Sequence, residues 1–138
     1  MTIWIKELLN QLDENVDEPT RKRILGGCGA KCPFTHLPDE KLLEIKKNSR
    51  NDLDFLDNLI SQWRVVNEDG QYYVVFDRCY CPLVNEDTDG ASKTLCFCTL
   101  GNLQHKFEIG LNQDFEIDML KSILSGDDAC RFKIKLKN

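Results

Sequence analysis

The amino-acid sequence predicts an α+β fold, with N-terminal helices packed on an antiparallel sheet of about four strands. Three observations carry this. Apolar residues of the first half recur at helical spacing. After Asp69-Gly70 the chain turns to β-formers. In Cys130 to Leu136 the residues alternate, with Cys130, Phe132, Ile134 and Leu136 on one face and Arg131, Lys133 and Lys135 on the other. The 138 residues fit one domain, with a helical half over 1–68 and a cysteine-containing sheet half over 69–138.

Taken in order, Ile3, Ile5, Leu8, Leu9 and Leu12 predict a first helix. Glu18-Pro19-Thr20 opens a second, since proline suits the first helical turn. It runs toward Cys28 and Cys32, weakened by Gly26, Gly27 and Gly29 and stopped by Pro33. Asp39 or a neighbour opens a third helix with Leu42, Leu43 and Ile45 on its apolar side. Asn51 or Asp52 caps a fourth, whose stripe is Leu53, Leu56, Leu59, Ile60 and Trp63. Tyr72 to Cys79 predicts a strand, 82–93 a polar loop and Thr94 to Leu100 a second strand. A short helix follows over Asn102 to Gly110. Two strands joined by Ser125-Gly126-Asp127-Asp128 close the chain.

Hydrophobic residues at 41% and charged residues at 30% are the balance of a folded protein. The net charge of −5 and the lack of any large Lys/Arg cluster exclude the footprint of a nucleic-acid binder. No window resembles a signal core or a membrane span, so the expected compartment is the cytoplasm and no membrane partner is expected. Thiols stay reduced there. Seven cysteines, an odd number, therefore call for an explanation other than a disulfide framework. Nothing in the residues fixes the oligomeric state.

Side chains two apart on a strand share a face. Cys79 and Cys81 would share one, as would Cys96 and Cys98. If their strands pair across the intervening loop, directly opposed Cβ atoms lie roughly 5 Å apart. Cys28 and Cys32, four apart, would share a helix face. These six cysteines are the candidate metal ligands. Soft thiolates suit zinc and, as a less favoured choice, an iron–sulfur cluster. Redox chemistry and plain core packing are the alternatives; for Cys130, heading an apolar face, packing is the expected role. His36 and His105, the only histidines, exclude a multi-histidine metal site; His105 is expected at the sheet edge. The acidic run Glu86 to Asp89 lacks calcium-loop spacing.

Two segments, Cys96-Phe-Cys-Thr-Leu-Gly101 and Gly126-Asp-Asp-Ala-Cys-Arg-Phe-Lys-Ile134, resemble the closing part of the 4-vinyl reductase domain. That group includes hydrocarbon-binding sensors and, more distantly, L-2-amino-thiazoline-4-carboxylic acid hydrolase-like proteins. The resemblance covers roughly residues 70–137. It implies helices and a sheet enclosing a pocket for a small apolar ligand, with a structural zinc nearby in some sensors. Cys96 lines up with the first zinc ligand of that group and Cys130 with the last. The intermediate positions fall at about Met119 and Ser122, neither an ordinary zinc ligand, so the family site is not intact. The helix end Cys28-Gly-Ala-Lys-Cys32 looks like a cysteine-rich uncharacterised branch of anaerobe proteins. The expectation is a small-molecule-binding domain with a cysteine-ligated zinc, walled by residues such as Trp63, Phe76, Phe97 and Phe107. A hydrolase of small sulfur- or nitrogen-containing compounds, using a thiolate or metal-bound water, and a redox or iron–sulfur protein are the rivals.

Overall fold

In a computed structural model describing residues 2–32, 37–77 and 92–137, the α+β expectation is met: five helices accompany a four-stranded antiparallel sheet. Helix α1 spans Thr2–Asn15, α2 Glu18–Gly29, α3 Asp39–Lys47 and α4 Asp52–Gln62. Strands β1 (Val65–Glu68) and β2 (Gln71–Phe76) follow. A 3₁₀ turn at Lys93–Leu95 then leads into α5 (Cys96–Gly110). Strand β3 (Phe115–Lys121), a second 3₁₀ turn (Ile123–Ser125) and β4 (Cys130–Leu136) complete the order.

Helices α2 to α4 start where the residues predict. Pro19 sits in the first turn of α2. Asn51 caps α4, its side chain accepting the Asp54 N–H at 2.9 Å, while the Asp54 carboxylate accepts the Arg50 N–H at 2.9 Å. The phase of α4 differs from expectation. Asp52, Phe55, Leu56 and Leu59 face inward, whereas Leu53 is 53% exposed and Ile60 is also exposed. Leu56 and Leu59 are buried as expected, but Phe55 and the carboxylate of Asp52 take the inward places expected of Leu53 and Ile60.

The largest departure lies at Thr94 to Leu100, which is helical and not a strand. Ser92 caps the 3₁₀ turn by accepting the Thr94 N–H at 3.1 Å. From there Cys96, Leu103, Phe107 and Gly110 form one buried stripe at helical spacing. The β-forming run Cys-Phe-Cys-Thr yields to the burial that this stripe gains: tertiary packing overrides local propensity.

Strand β1 was not anticipated. It pairs with β2 through a two-residue turn in which Asp69 (φ 54°) and Gly70 (φ 85°) both take left-handed backbone, as a type I′ hairpin requires. The sheet order is β1-β2-β4-β3, with Phe76 opposite Cys130 and Met119 opposite Phe132. Strand β4 is therefore central, and its alternation is as predicted, with Cys130, Phe132 and Ile134 buried.

The main core gathers Leu42 and Ile45 of α3, Phe55, Leu56 and Leu59 of α4, Leu103 and Phe107 of α5, and the inner face of the sheet. Leu43, predicted inward, is exposed. A smaller core joins Leu9 of α1, Leu25 of α2, Leu95 and Phe97. Met119 packs against both. Among the described residues no helix is long and apolar enough to cross a membrane.

Candidate functional site

The first turn of α5, the end of β3 and the start of β4 meet where the two cores adjoin. Each delivers one polar side chain to the same buried point. Cys96 begins α5, Cys130 begins β4, and Ser122 follows β3. Their relative exposures are 6%, 8% and 3%.

Local geometry explains why Ser122 points inward. The pairing of β3 with β4 is irregular between Met119 and Lys121. The extra residue shifts the alternation, so Lys121 faces solvent and Ser122 turns toward the core. The connection to β4 is then locked on itself. The Ser122 N–H donates to the Asp127 carboxylate at 2.8 Å, and the Asp127 N–H donates to the Ser122 carbonyl at 3.1 Å. Gly126, at φ 98°, supplies the left-handed residue that this tight return needs.

Within this frame Cys96 Sγ lies 2.9 Å from Ser122 Oγ. The neighbouring Ile123 N–H donates to Cys130 Sγ at 3.4 Å. Cys96 hydrogen-bonds the Cys130 sulfur, and this contact is the main reason the Cys130 thiol is held down to about 7; the Ile123 N–H adds to it. Burial and the Asp127 carboxylate oppose the shift without cancelling it. Cys130 is therefore a thiol that gives up its proton more readily than an ordinary one.

The candidate metal ligands that lie among the described residues occupy other elements than expected. Cys96 and Cys98 lie in the first turn of α5, so no strand carries them and no strand pairing sets them opposite Cys79 and Cys81. Those two lie outside the described residues, as does His36. The strand beside β2, on the side away from β1, is β4, which brings Cys130 and not Cys96 opposite Phe76. Cys28 and Cys32 do not share a helix face. Helix α2 ends at Gly29, and Cys32 follows in a turn whose N–H bonds back to the Gly29 carbonyl at 3.1 Å. Cys28 is exposed and Cys32 half-buried. Cys98 is half-buried and packs on the smaller core. None of the five described cysteines, Cys28, Cys32, Cys96, Cys98 and Cys130, is in a disulfide. Among the described residues no group of three His, Cys, Asp or Glu is placed to hold a metal ion.

Three of the four positions that the resemblance aligns with zinc ligands, Cys96, Ser122 and Cys130, are nevertheless in contact. The strand alternation gave Cys130 a packing role and only the resemblance a ligand position, and Ser122 carried no signal of its own beyond that alignment.

A second buried polar group stands apart. Lys106 of α5 donates to the Leu37 carbonyl at 3.1 Å and lies 5.8 Å from the centre of the Trp63 ring. Burial lowers its pKa, against the attraction of Asp39 and Cys32. His105 does not lie at the sheet edge. It projects from α5 toward α3, with Nε2 3.1 Å from Asp39 Oδ1. Of the residues suggested as ligand-pocket walls, Phe97 and Phe107 are buried in the two cores, and Trp63 and Phe76 stack edge-to-face with centroids 6.2 Å apart. A cleft of about 180 Å³ lined by Glu44, Ile45, Asn48, Asn58 and Gln62 lies on the α3–α4 side.

Fold and site together define a small α+β protein with a buried dithiol. The chain belongs to a family of unknown function, DUF6144, whose model matches residues 1–138. No curated protein matches it.

Proposed function

We propose that the protein is a thiol-redox protein in which Cys96 and Cys130 interconvert between dithiol and disulfide. The observation that carries this reading is that Cys96 of α5 and Cys130 of β4, distant in sequence, are buried at one point, Cys96 Sγ lying 2.9 Å from Ser122 Oγ and Cys130 Sγ accepting the N–H of the next residue, Ile123, at 3.4 Å. Two sulfurs suffice for the chemistry: a thiolate at one attacks whatever has oxidised the other. Cys130 supplies a thiolate near neutral pH, and Cys96 is already within reach. A reducing cytoplasm would keep the pair as thiols at rest.

The direct test is mass spectrometry of the protein treated with a mild thiol oxidant such as diamide, alkylated and digested. A peptide pair linking Cys96 to Cys130 is the expected product. Its absence, with other cysteines oxidised in its place, refutes the reading.

A second reading uses the same atoms. The contact among Cys96, Ser122 and Cys130 also favours a soft metal ion, zinc by preference, with the two sulfurs as ligands. Zinc takes four donors, and the described residues bring two thiols and a hydroxyl to this point. They fit half of such a site. Elemental analysis of purified protein separates the readings: stoichiometric zinc lost on C96S/C130S substitution favours the metal, and its absence leaves the dithiol.

A further inference from the structure

From the exposed apolar face of α1 and the opposite charges carried by α1 and α2, we propose that two copies of this chain associate through these helices about a twofold axis. The contact uses neither thiol of the buried pair and stands apart from the dithiol reading.

The sequence sets Ile3, Ile5, Leu8, Leu9 and Leu12 on one helix, but the fold divides them. Leu9 is buried, and Ile5 and Leu12 pack beside it on the smaller core. Ile3 is 84% exposed, Trp4 63% and Leu8 41%. At about 3.6 residues per turn these three fall, with Glu7, on the outer half of α1. Helix α2 runs alongside, joined to α1 through Val16 and Asp17. There Leu25 enters the same small core as Leu9, while Ile24, like Leu8, turns outward and is 44% exposed. The other exposed large apolar residues among the described ones, Leu43, Leu53, Ile60 and Leu120, are scattered over α3, α4 and β3. Isolated residues of that kind are ordinary. Four on two adjoining helices, a tryptophan among them, mark a contact surface.

Charge selects the occupant. Helix α1 carries Glu7, Asp13 and Glu14 against the one cation Lys6, whereas α2 carries Arg21, Lys22 and Arg23 against Glu18. Glu7, Glu14, Lys22 and Arg23 are exposed. An anionic membrane surface repels the acidic helix, and helices that lie in such surfaces carry lysine and arginine on their polar face instead. A twofold contact needs a surface that complements itself. Acidic α1 beside basic α2 meets that need. Laying α1 of each copy across α2 of the other brings both pairs of opposite-sign edges together, around Trp4, Leu8 and Ile24. Four apolar side chains fall short of the about 800 Å² that a stable dimer buries per partner, so the charged edges belong to the contact.

Sedimentation velocity of the full chain, with a reductant present so that the exposed Cys28 cannot link copies, should show a dimer that dissociates on dilution and in high salt. Trp4→Glu should raise its dissociation constant at least about tenfold. Two charge-reversed chains give a sharper readout. Glu7→Lys with Glu14→Lys makes the outer edges of both helices basic, and Lys22→Glu with Arg23→Glu makes both acidic. Each should be monomeric alone, and an equimolar mixture should form the heterodimer. A monomeric unaltered chain overturns the proposal; its binding to vesicles of phosphatidylcholine and phosphatidylglycerol would assign the face to a membrane, and failure to bind would leave it to a different protein. A dimer unchanged by Trp4→Glu, or no heterodimer from two folded variants, overturns it as well. Should a variant lose its circular-dichroism signature, carbodiimide crosslinking of the unaltered chain decides. Links from Glu7 or Glu14 to Lys22 in the dimer band support the contact, and their absence refutes it.

Discussion

Gly29 of α2 lies so close to α5 that a Cβ placed on it would sit 1.8 Å from the Cys98 carbonyl oxygen. Gly101 of α5 faces Gly26 in the same way, its Cβ position 2.1 Å from the Gly26 carbonyl oxygen. Helices α2 and α5 thus cross backbone to backbone, and Asn102 Nδ2 reinforces the crossing by donating to the Gly29 carbonyl at 3.0 Å. The glycine-rich end of α2, which reads as a weak helix terminus, is a packing surface.

Gly29→Ala and Gly101→Ala should each destabilise the fold by about 3 kcal/mol or more, since a rigid backbone has to move to admit the methyl group. Gly27→Ala, with open space around it, should be neutral or slightly stabilising because alanine favours the helix by up to about 1 kcal/mol. Urea denaturation of the three variants checks the contrast. Equal midpoints for all three would refute the close crossing.

Most of the helical half was legible because its signals are local: Pro19 at a first turn, Asn51 at a cap, and Asp69-Gly70 as the turn that ends it. The sheet class was legible from the alternation of β4. The site was not, for two physical reasons. Thr94 to Leu100 has the composition of a strand, and only the longer stripe through Leu103, Phe107 and Gly110 reveals a helix. Ser122 faces inward because of an irregularity in β3 that no residue type announces. With Cys96 placed on a strand, its contact with Ser122 and Cys130 could not be foreseen; Cys79 and Cys81 lie outside the described residues.

Titration of Cys130 should show in stability. Its folded pKa, about 7, lies below the ordinary thiol value of 9.0. Below both values the thiol is protonated whether folded or not and contributes nothing. As pH rises through that window the folded state loses its proton first, so stability should increase, and it should fall again as pH drops through the folded value. Denaturant midpoints measured across the window should rise for the native chain relative to C130S. Cys96→Ala removes the main stabilising donor, so ultraviolet thiolate absorbance should shift its midpoint toward the ordinary value. An unchanged midpoint would show that Cys96 does not set it.

Asp52 should matter more than its polar nature suggests. Its buried carboxylate accepts the Asn112 N–H at 2.9 Å and the Gln113 N–H at 3.0 Å, fastening α4 to the turn after α5. Burial acts to raise its pKa, yet these bonds hold it below the ordinary 3.8. Its contribution is therefore complete above that value and is lost as pH falls beneath it. Asp52→Ala should cost about 2–3 kcal/mol at neutral pH. An acid-unfolding curve should lose its steepest part in that variant.

Phe132, fully buried on the central strand, meets Phe76 edge-to-face with ring centroids 6.2 Å apart. Phe132→Ala should cost about 3–5 kcal/mol by the cavity it opens. Thermal unfolding provides the measurement. Leu53→Ala, on the outer side of α4, should change stability by less than about 0.5 kcal/mol.

Because the two thiols sit where the smaller core abuts the larger, bonding them would do more than record an oxidation. It would close a loop of about 35 residues and, by the entropy removed from the unfolded chain, add about 4 kcal/mol of stability. Exposure to an oxidant would then be written into the melting temperature of the protein, and a reductant would erase it.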